Sequence, residues 1–274
     1  IHYLLPDTNN ASPAYYARLR DNAILRSSIH KPSFFLTFSA NGSWPEITAM
    51  LSHGERWEDR PDLVARAFRR RLLALMRRIR RSGHFGIVDD VWVVREWQKR
   101  GLPHAHICIS SRPAGTSASR SLVQSPLGRY EAEHANVVDD GITAAYIDSV
   151  VTCDRGAMSA AECEAVTRYC WHQHSSHCQT EYGCKYDFPR TAVDFTHRTS
   201  DGDWVLRRAV GDEWIAETIP AWVLDFQAHI HCMPVNGYSF LISYLLDYCC
   251  KGELKANFRE SDTFGRGSVF DDVN

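Results

Sequence analysis

The chain has 274 residues, 44% of them apolar, and a formal net charge of −2. That is enough apolar material to bury a real core, and no apolar run approaches the ~20 residues that a bilayer-spanning helix needs. Nine cysteines, an odd number without framework spacing, argue against a disulfide-stapled secreted scaffold and for a reducing compartment.

In chain order, a first helix is expected from Pro13 to His30, followed by a buried strand in "SFFLTFSA" (33–40) and a turn in "NGSWPEI". The stretch "PDLVARAFRRRLLALMRRIRR" (61–81) carries eight arginines against one aspartate, with Leu63, Ala67, Leu72, Leu75, Met76 and Ile79 near helical spacing. It reads as an amphipathic helix whose cationic outer face suits phosphate contacts, the alternative being a solvated face with no ligand. Arg69, Arg70, Arg77, Arg78 and Arg81, with Lys99 and Arg100 further on, are the candidate DNA contacts. The runs "GIVDDVWVVREWQ" (86–98) and "PHAHICIS" (103–110), joined by "KRGL", predict an antiparallel hairpin. A loop rich in Ser, Pro, Gly and Ala follows at 111–129.

Further along, Ser159 and Glu162 have capping-box spacing and open a helix over 159–172. The segment 172–190 reads as irregular, "DWVLRRAV" and "EWIAETIP" (203–220) as a small hairpin, and "FQAHIHCMPV" (226–235) as a strand. "GYSFLISYLLDYCCKG" (237–252) reads as a helix closed by Gly252. Strands and helices mix without a βαβ rhythm, so the expected class is α+β. The chain starts without methionine and is expected to be a piece of a longer polypeptide.

Within the hairpin, His104 and His106 share one face of a strand, while Ala105, Ile107 and Ile109 take the other. Two imidazoles on one rigid strand form half of a divalent-cation site, although the motif alone also suits two satisfied surface histidines. From the partner strand, Glu96 or Gln98 can bring an oxygen; the carboxylate suits a hard cation such as Mg²⁺ or Mn²⁺. On the late helix, Tyr244, Tyr248 and Lys251 fall on one face. A second group, "CWHQHSSHCQTEYGCKYDFP", offers His174, Cys178 and Cys184 as zinc ligands with His172 or Cys170 as the fourth, or else reduced thiols beside exposed histidines. His229 and His231 repeat the His-x-His pattern and read as structural or DNA-proximal. Most of the eight tryptophans should be core, with one or two free to stack on bases.

Together, the paired histidines with a carboxylate and Tyr-x₃-Tyr-x₂-Lys on a late helix resemble the HUH endonucleases, the relaxase and rolling-circle initiator superfamily. In order and spacing, "FFLTFSANGSWPEI", "DRPDLVARAF", "REWQKRGLPHAHICI", "CKYDFPR" and "ISYLLDYCCKG" resemble the Rep domain of Helitron transposases. The resemblance implies an antiparallel sheet with His104 and His106 on a central strand and flanking helices, and an inserted His/Cys-rich subdomain is expected with it. It divides the chain into an N-terminal helical extension (1–30) and a Rep nuclease domain (31–274). Insertions are expected at about 111–150 and 170–225, with a zinc-binding element at 170–190.

By the same resemblance, His104, His106 and Glu96 are the metal ligands, with Gln98 as a substitute, and Tyr244 and Tyr248 are paired nucleophiles followed by Lys251. The implied activity is metal-dependent nicking and joining of single-stranded DNA at transposon ends and targets, in the nucleus, through a 5′-phosphotyrosine link. A helicase region of the same polypeptide is the implied partner, because no G-x-x-x-x-G-K-[ST] loop occurs here. Two alternatives stay open: a hydrolytic nuclease and a non-catalytic, zinc-stabilised DNA-binding module.

Overall fold

A computed structural model describes residues 32–97, 101–115, 142–176, 178–200 and 202–235. The architecture is mixed α+β. Its centre is a four-stranded antiparallel sheet of β1 (Phe34–Ser39), β2 (Ile87–Trp97), β3 (Pro103–Arg112) and β8 (Ile230–Pro234), in the order β2-β3-β1-β8. The order makes β3 and β1 central strands.

Period-two alternation gives the sheet two unlike faces. Phe34, Leu36 and Phe38 on β1, Ala105, Ile107 and Ile109 on β3, and Ile230 and Cys232 on β8 all lie on one face and have no exposed surface. A helical layer covers them. Its main member is α2 (Pro61–Arg81), which follows the four-residue α1 (Pro45–Thr48) and starts on Pro61, where a missing N–H costs nothing. Helix α2 turns Leu63, Val64, Ala67, Phe68, Leu72, Leu75 and Ile79 inward, and the Phe68 ring stacks on Phe38 at 5.5 Å. Burial of each large side chain is worth about 1.5–3 kcal/mol, so Leu75→Ala is expected to cost about 2–5 kcal/mol.

The same core takes in α3 (Ala144–Val150), α4 (Ala160–Cys170) and α5 (Pro220–Phe226). The Ser159–Glu162 capping box opens α4 as its spacing predicts. Between α4 and α5 lie two two-stranded ribbons: β4 (Gln179–Thr180) with β5 (Gly183–Cys184), and β6 (His197–Arg198) with β7 (Trp204–Val205).

Strand β1, helix α2 and the β2–β3 pair fall where the sequence puts them. Residues 203–220 do not form a hairpin of their own. Trp204–Val205 pairs back onto His197–Arg198, Ile215 bridges Trp171, and Thr218 bridges Thr152. Partners outside the segment take up its backbone, the nearby His197–Arg198 and the distant Trp171 and Thr152, and Pro220 opens a helix instead. The strand expected at 226–235 is correspondingly shorter, because Phe226 ends α5 and Gln227 turns the chain at φ +49° before Ile230. The predicted helices at 13–30 and 237–252 lie outside the described residues, as do residues 116–141 of the expected insertion.

Candidate functional site

The sheet face opposite the helices carries the chemistry. Across the β2–β3 pair, Glu96 faces His104 and Val94 faces His106; across β1–β3, Thr37 faces His106 and Ser39 faces His104. Directly paired residues share a face, so Glu96, His104, His106 and Thr37 come together. Glu96 Oε2 lies 3.3 Å from His104 Nε2 and 3.4 Å from His106 Nε2. For metal–ligand bonds of about 2.1 Å, adjacent donors stand roughly 3.0–3.4 Å apart, and these distances fall in that range.

Both imidazoles are buried, at 7% exposure for His104 and 5% for His106. Burial pushes both below the usual histidine range, His106 to about 3 with a further push from the neighbouring His104, while Glu96 partly offsets the effect at His104. The rings are therefore neutral at physiological pH, the form in which nitrogen donates a lone pair to a cation. Their planes stand edge to face, 4.6 Å apart, and His106 stacks on Phe35. Thr37 Oγ1 lies 3.2 Å from His106 Nδ1. A cation on Nε2 requires the proton on Nδ1, and Thr37 stands where it accepts that N–H. Glu96 Oε2 is buried, and among the described residues its nearest polar atoms are these two ring nitrogens. A carboxylate oxygen and two neutral imidazoles that converge on one point are a donor set fit for a divalent cation.

A second donor group lies in the segment after α4. His172, His174, Cys178 and Cys184 each offer one ligand atom, all within 4.8 Å of one another. Cys178 Sγ is 3.6 Å from His174 Nδ1, and Cys184 Sγ is 3.4 Å from His172 Nε2. A tetrahedral zinc site with ordinary Zn–S and Zn–N bonds has S···N edges of about 3.6 Å. The β4–β5 ribbon turns the chain so that Cys184 comes back to Cys178. The Ser175 N–H, 3.2 Å from Cys178 Sγ, and the His174 ring hold that thiol down at about 7, which favours the thiolate. Phe188 stacks on His172 at 4.3 Å and fixes the ring.

Cys170 is not part of this group. The end of α4 points its thiol into the core, 3.6 Å from Ile230 O and 3.8 Å from Thr218 Oγ1, and burial pushes it up to about 11. His172 is thus the fourth member.

The arginine helix lies on the other side of the sheet from Glu96, His104 and His106. Arg69, Arg70, Arg77 and Arg81 are exposed there and form no ion pair among the described residues. Arg78 differs from them: it pairs with Asp225 and lies over the Trp222 ring, 5.3 Å from its centroid. That makes it a strut between α2 and α5. Tyr244, Tyr248, Lys251, Gln98, Lys99 and Arg100 lie outside the described residues. Trp44 and Trp222 are core, whereas Trp97, beside Glu96 on β2, is 46% exposed.

Sequence reasoning missed Thr37, although the alternation of β1 assigns it to the face opposite Phe34, Leu36 and Phe38. It also missed a buried carboxylate, Glu217, which His231, Arg190 and Arg208 approach at 3.1, 3.4 and 3.1 Å. Burial alone would raise that carboxyl, yet the His231 hydrogen bond and the two guanidinium groups outweigh it and hold it at about 2.

Residues 2–109, less than half of the chain, match a family model described as the Helitron helicase-like domain at the N-terminus. The matched segment takes in β1, α2, β2 and most of β3, and with them Glu96, His104 and His106; the His/Cys group lies beyond it. No curated protein matches the chain. This similarity supports a Helitron-related protein with a role in nucleic-acid processing.

Proposed function

We propose that this chain nicks and rejoins single-stranded DNA as the HUH-type nuclease domain of a Helitron-related transposase. One observation carries the reading: Glu96, His104 and His106 converge from two paired strands on one point of an otherwise well-packed sheet. The match to a Helitron domain over the same strands supports it.

In this reading, Glu96 Oε2 and the Nε2 atoms of His104 and His106 hold Mg²⁺ or Mn²⁺. Bound there, the cation supplies Lewis-acid polarisation of a phosphodiester oxygen. The chain's own residues do the rest. Thr37 fixes the His106 tautomer, and the β1–β3 pairing keeps both rings in place. Phe35, Cys108, Trp92 and Met233 form an apolar patch on the same face that keeps water from one side of the site. Tyr244 or Tyr248 attacks the phosphorus, the P–O3′ bond breaks, and the 5′-phosphotyrosine conserves the bond for transfer to a new 3′-hydroxyl. Lys251 follows on the same predicted helix and favours the phenolate.

The His172–His174–Cys178–Cys184 group holds a structural zinc that replaces a hydrophobic core for the short β4–β5 ribbon. Single-stranded DNA is the substrate, a helicase region of the same polypeptide is the partner, and the nucleus is the compartment.

The test is an SDS-resistant adduct between the chain and a labelled single-stranded oligonucleotide. The adduct is expected with Mn²⁺, absent with chelator, and lost in His104→Ala and in Tyr244→Phe/Tyr248→Phe. Free 5′-phosphate ends without adduct favour hydrolysis by water. No cleavage at all by the unaltered chain leaves a DNA-binding module.

A further inference from the structure

His231 stands on the same sheet face as the cation ligands, one strand further along. Thr37 links the two: it pairs with His106 across β1–β3 and with His231 across β1–β8. The row His106–Thr37–His231 therefore shares one face, and two strand spacings set the outer Cα atoms about 10 Å apart. A bound phosphodiester and its attacking hydroxyl span much of that gap.

Among the described residues, Glu217 is the one hydrogen-bond partner of the His231 ring. Its Nε2 lies 3.1 Å from Glu217 Oε2, and Nδ1 has no partner among the described residues. The side chain is 25% exposed, so Nδ1 is reachable. Arg208 donates to Glu217 Oε1 at 3.1 Å, and Arg190 Nη1 lies 3.4 Å from the same oxygen, so the carboxylate that orients His231 is itself held in place. With Nε2–H donating to Glu217, Nδ1 is the second ring nitrogen, at a strand position that shares the face of the cation ligands.

We infer that His231, oriented by Glu217, is the proton acceptor for the hydroxyl that attacks at the Glu96–His104–His106 site. This rests on the nuclease reading above. As the O–P bond of the attacking hydroxyl forms, its proton passes to His231 Nδ1; as the P–O3′ bond breaks, the same proton passes to O3′. No other reactant is needed. The pairing of a buried carboxylate with one imidazole nitrogen leaves the second nitrogen to take a proton, an arrangement that general-base catalysis uses.

The experiment measures adduct formation by His231→Gly and His231→Gln in the whole chain. Both variants are expected to lose about 100-fold in the rate at saturating DNA, with unchanged KM and unchanged Mn²⁺ affinity. Added imidazole is expected to restore His231→Gly at least tenfold and to leave His231→Gln and His104→Ala as they were. A His231→Gly rate within threefold of the unaltered chain overturns the inference. So does a loss that imidazole does not move, which marks His231 as a strut between β8 and Glu217. If the unaltered chain forms no adduct, the nuclease reading fails and takes this inference with it; that result is read without any variant.

Discussion

Glu96 and His104 face each other directly across the β2–β3 pair, and the Glu96 oxygen that reaches His104 at 3.3 Å also reaches His106 at 3.4 Å. A single carboxylate oxygen thus closes a triangle whose other corners are i and i+2 of one strand. Removal of that oxygen should be felt by the cation before it is felt by the fold, because the Glu96 side chain is 42% exposed. Glu96→Ala is expected to weaken Mn²⁺ binding at least tenfold, measured by titration calorimetry, and to shift Tm by less than a few degrees.

The His/Cys group gives a separate expectation. The purified chain should carry one zinc per molecule by elemental analysis. Cys178→Ser and Cys184→Ser should each lose it and lower Tm, whereas Cys170→Ala should keep it because that thiol faces Ile230 and Thr218. Zinc retained in Cys184→Ser, or lost in Cys170→Ala, contradicts the assignment.

Burial of the paired imidazoles makes stability depend on pH. His106 is held at about 3 in the folded chain against an ordinary value of 6.5, so between those limits the unfolded chain binds more protons. Stability is therefore fully present above pH 6.5 and falls as pH drops toward 3, by at most about 5 kcal/mol from this group. Urea unfolding at stepped pH should show a flatter acid limb for His106→Gln. Mn²⁺ should move the limb to lower pH in the unaltered chain only, since it binds the neutral ring.

The arginines of α2 stand behind the sheet, away from the cation site, so any action on DNA is through binding and not through the chemical step. Replacement of Arg69, Arg70, Arg77 and Arg81 by Gln is expected to flatten the salt dependence of single-strand binding by about 0.7 for each phosphate that is no longer neutralised. The rate of adduct formation at saturating DNA should stay the same. An unchanged salt slope means that this face is merely solvated.

What was legible in the sequence follows from range. Periodicity alone set β1, α2 and the β2–β3 pair, since alternation and helical spacing are local signals. The convergence of Glu96 on His104 and His106 followed from hairpin register, which short connections constrain. Cys170 misled because it lies next to the His/Cys group in sequence, while the last turn of α4 directs its side chain to the core. The hairpin expected at 203–220 failed for a related reason: Thr152 and Trp171, far away in sequence, supply the backbone partners. Glu217 and His231 stand 14 residues apart and meet through tertiary packing, and no local pattern announces such a pair.

The central claim is that the Glu96–His104–His106 cation touches the phosphate under attack. Sulfur placed at each non-bridging oxygen of the scissile phosphate in turn tests this directly. With Mg²⁺, one of the two sulfur positions is expected to slow nicking strongly, and thiophilic Mn²⁺ or Cd²⁺ to restore it, with no restoration in Glu96→Ala. Nicking that proceeds equally with either metal at both sulfur positions, or that persists in chelator, contradicts the account.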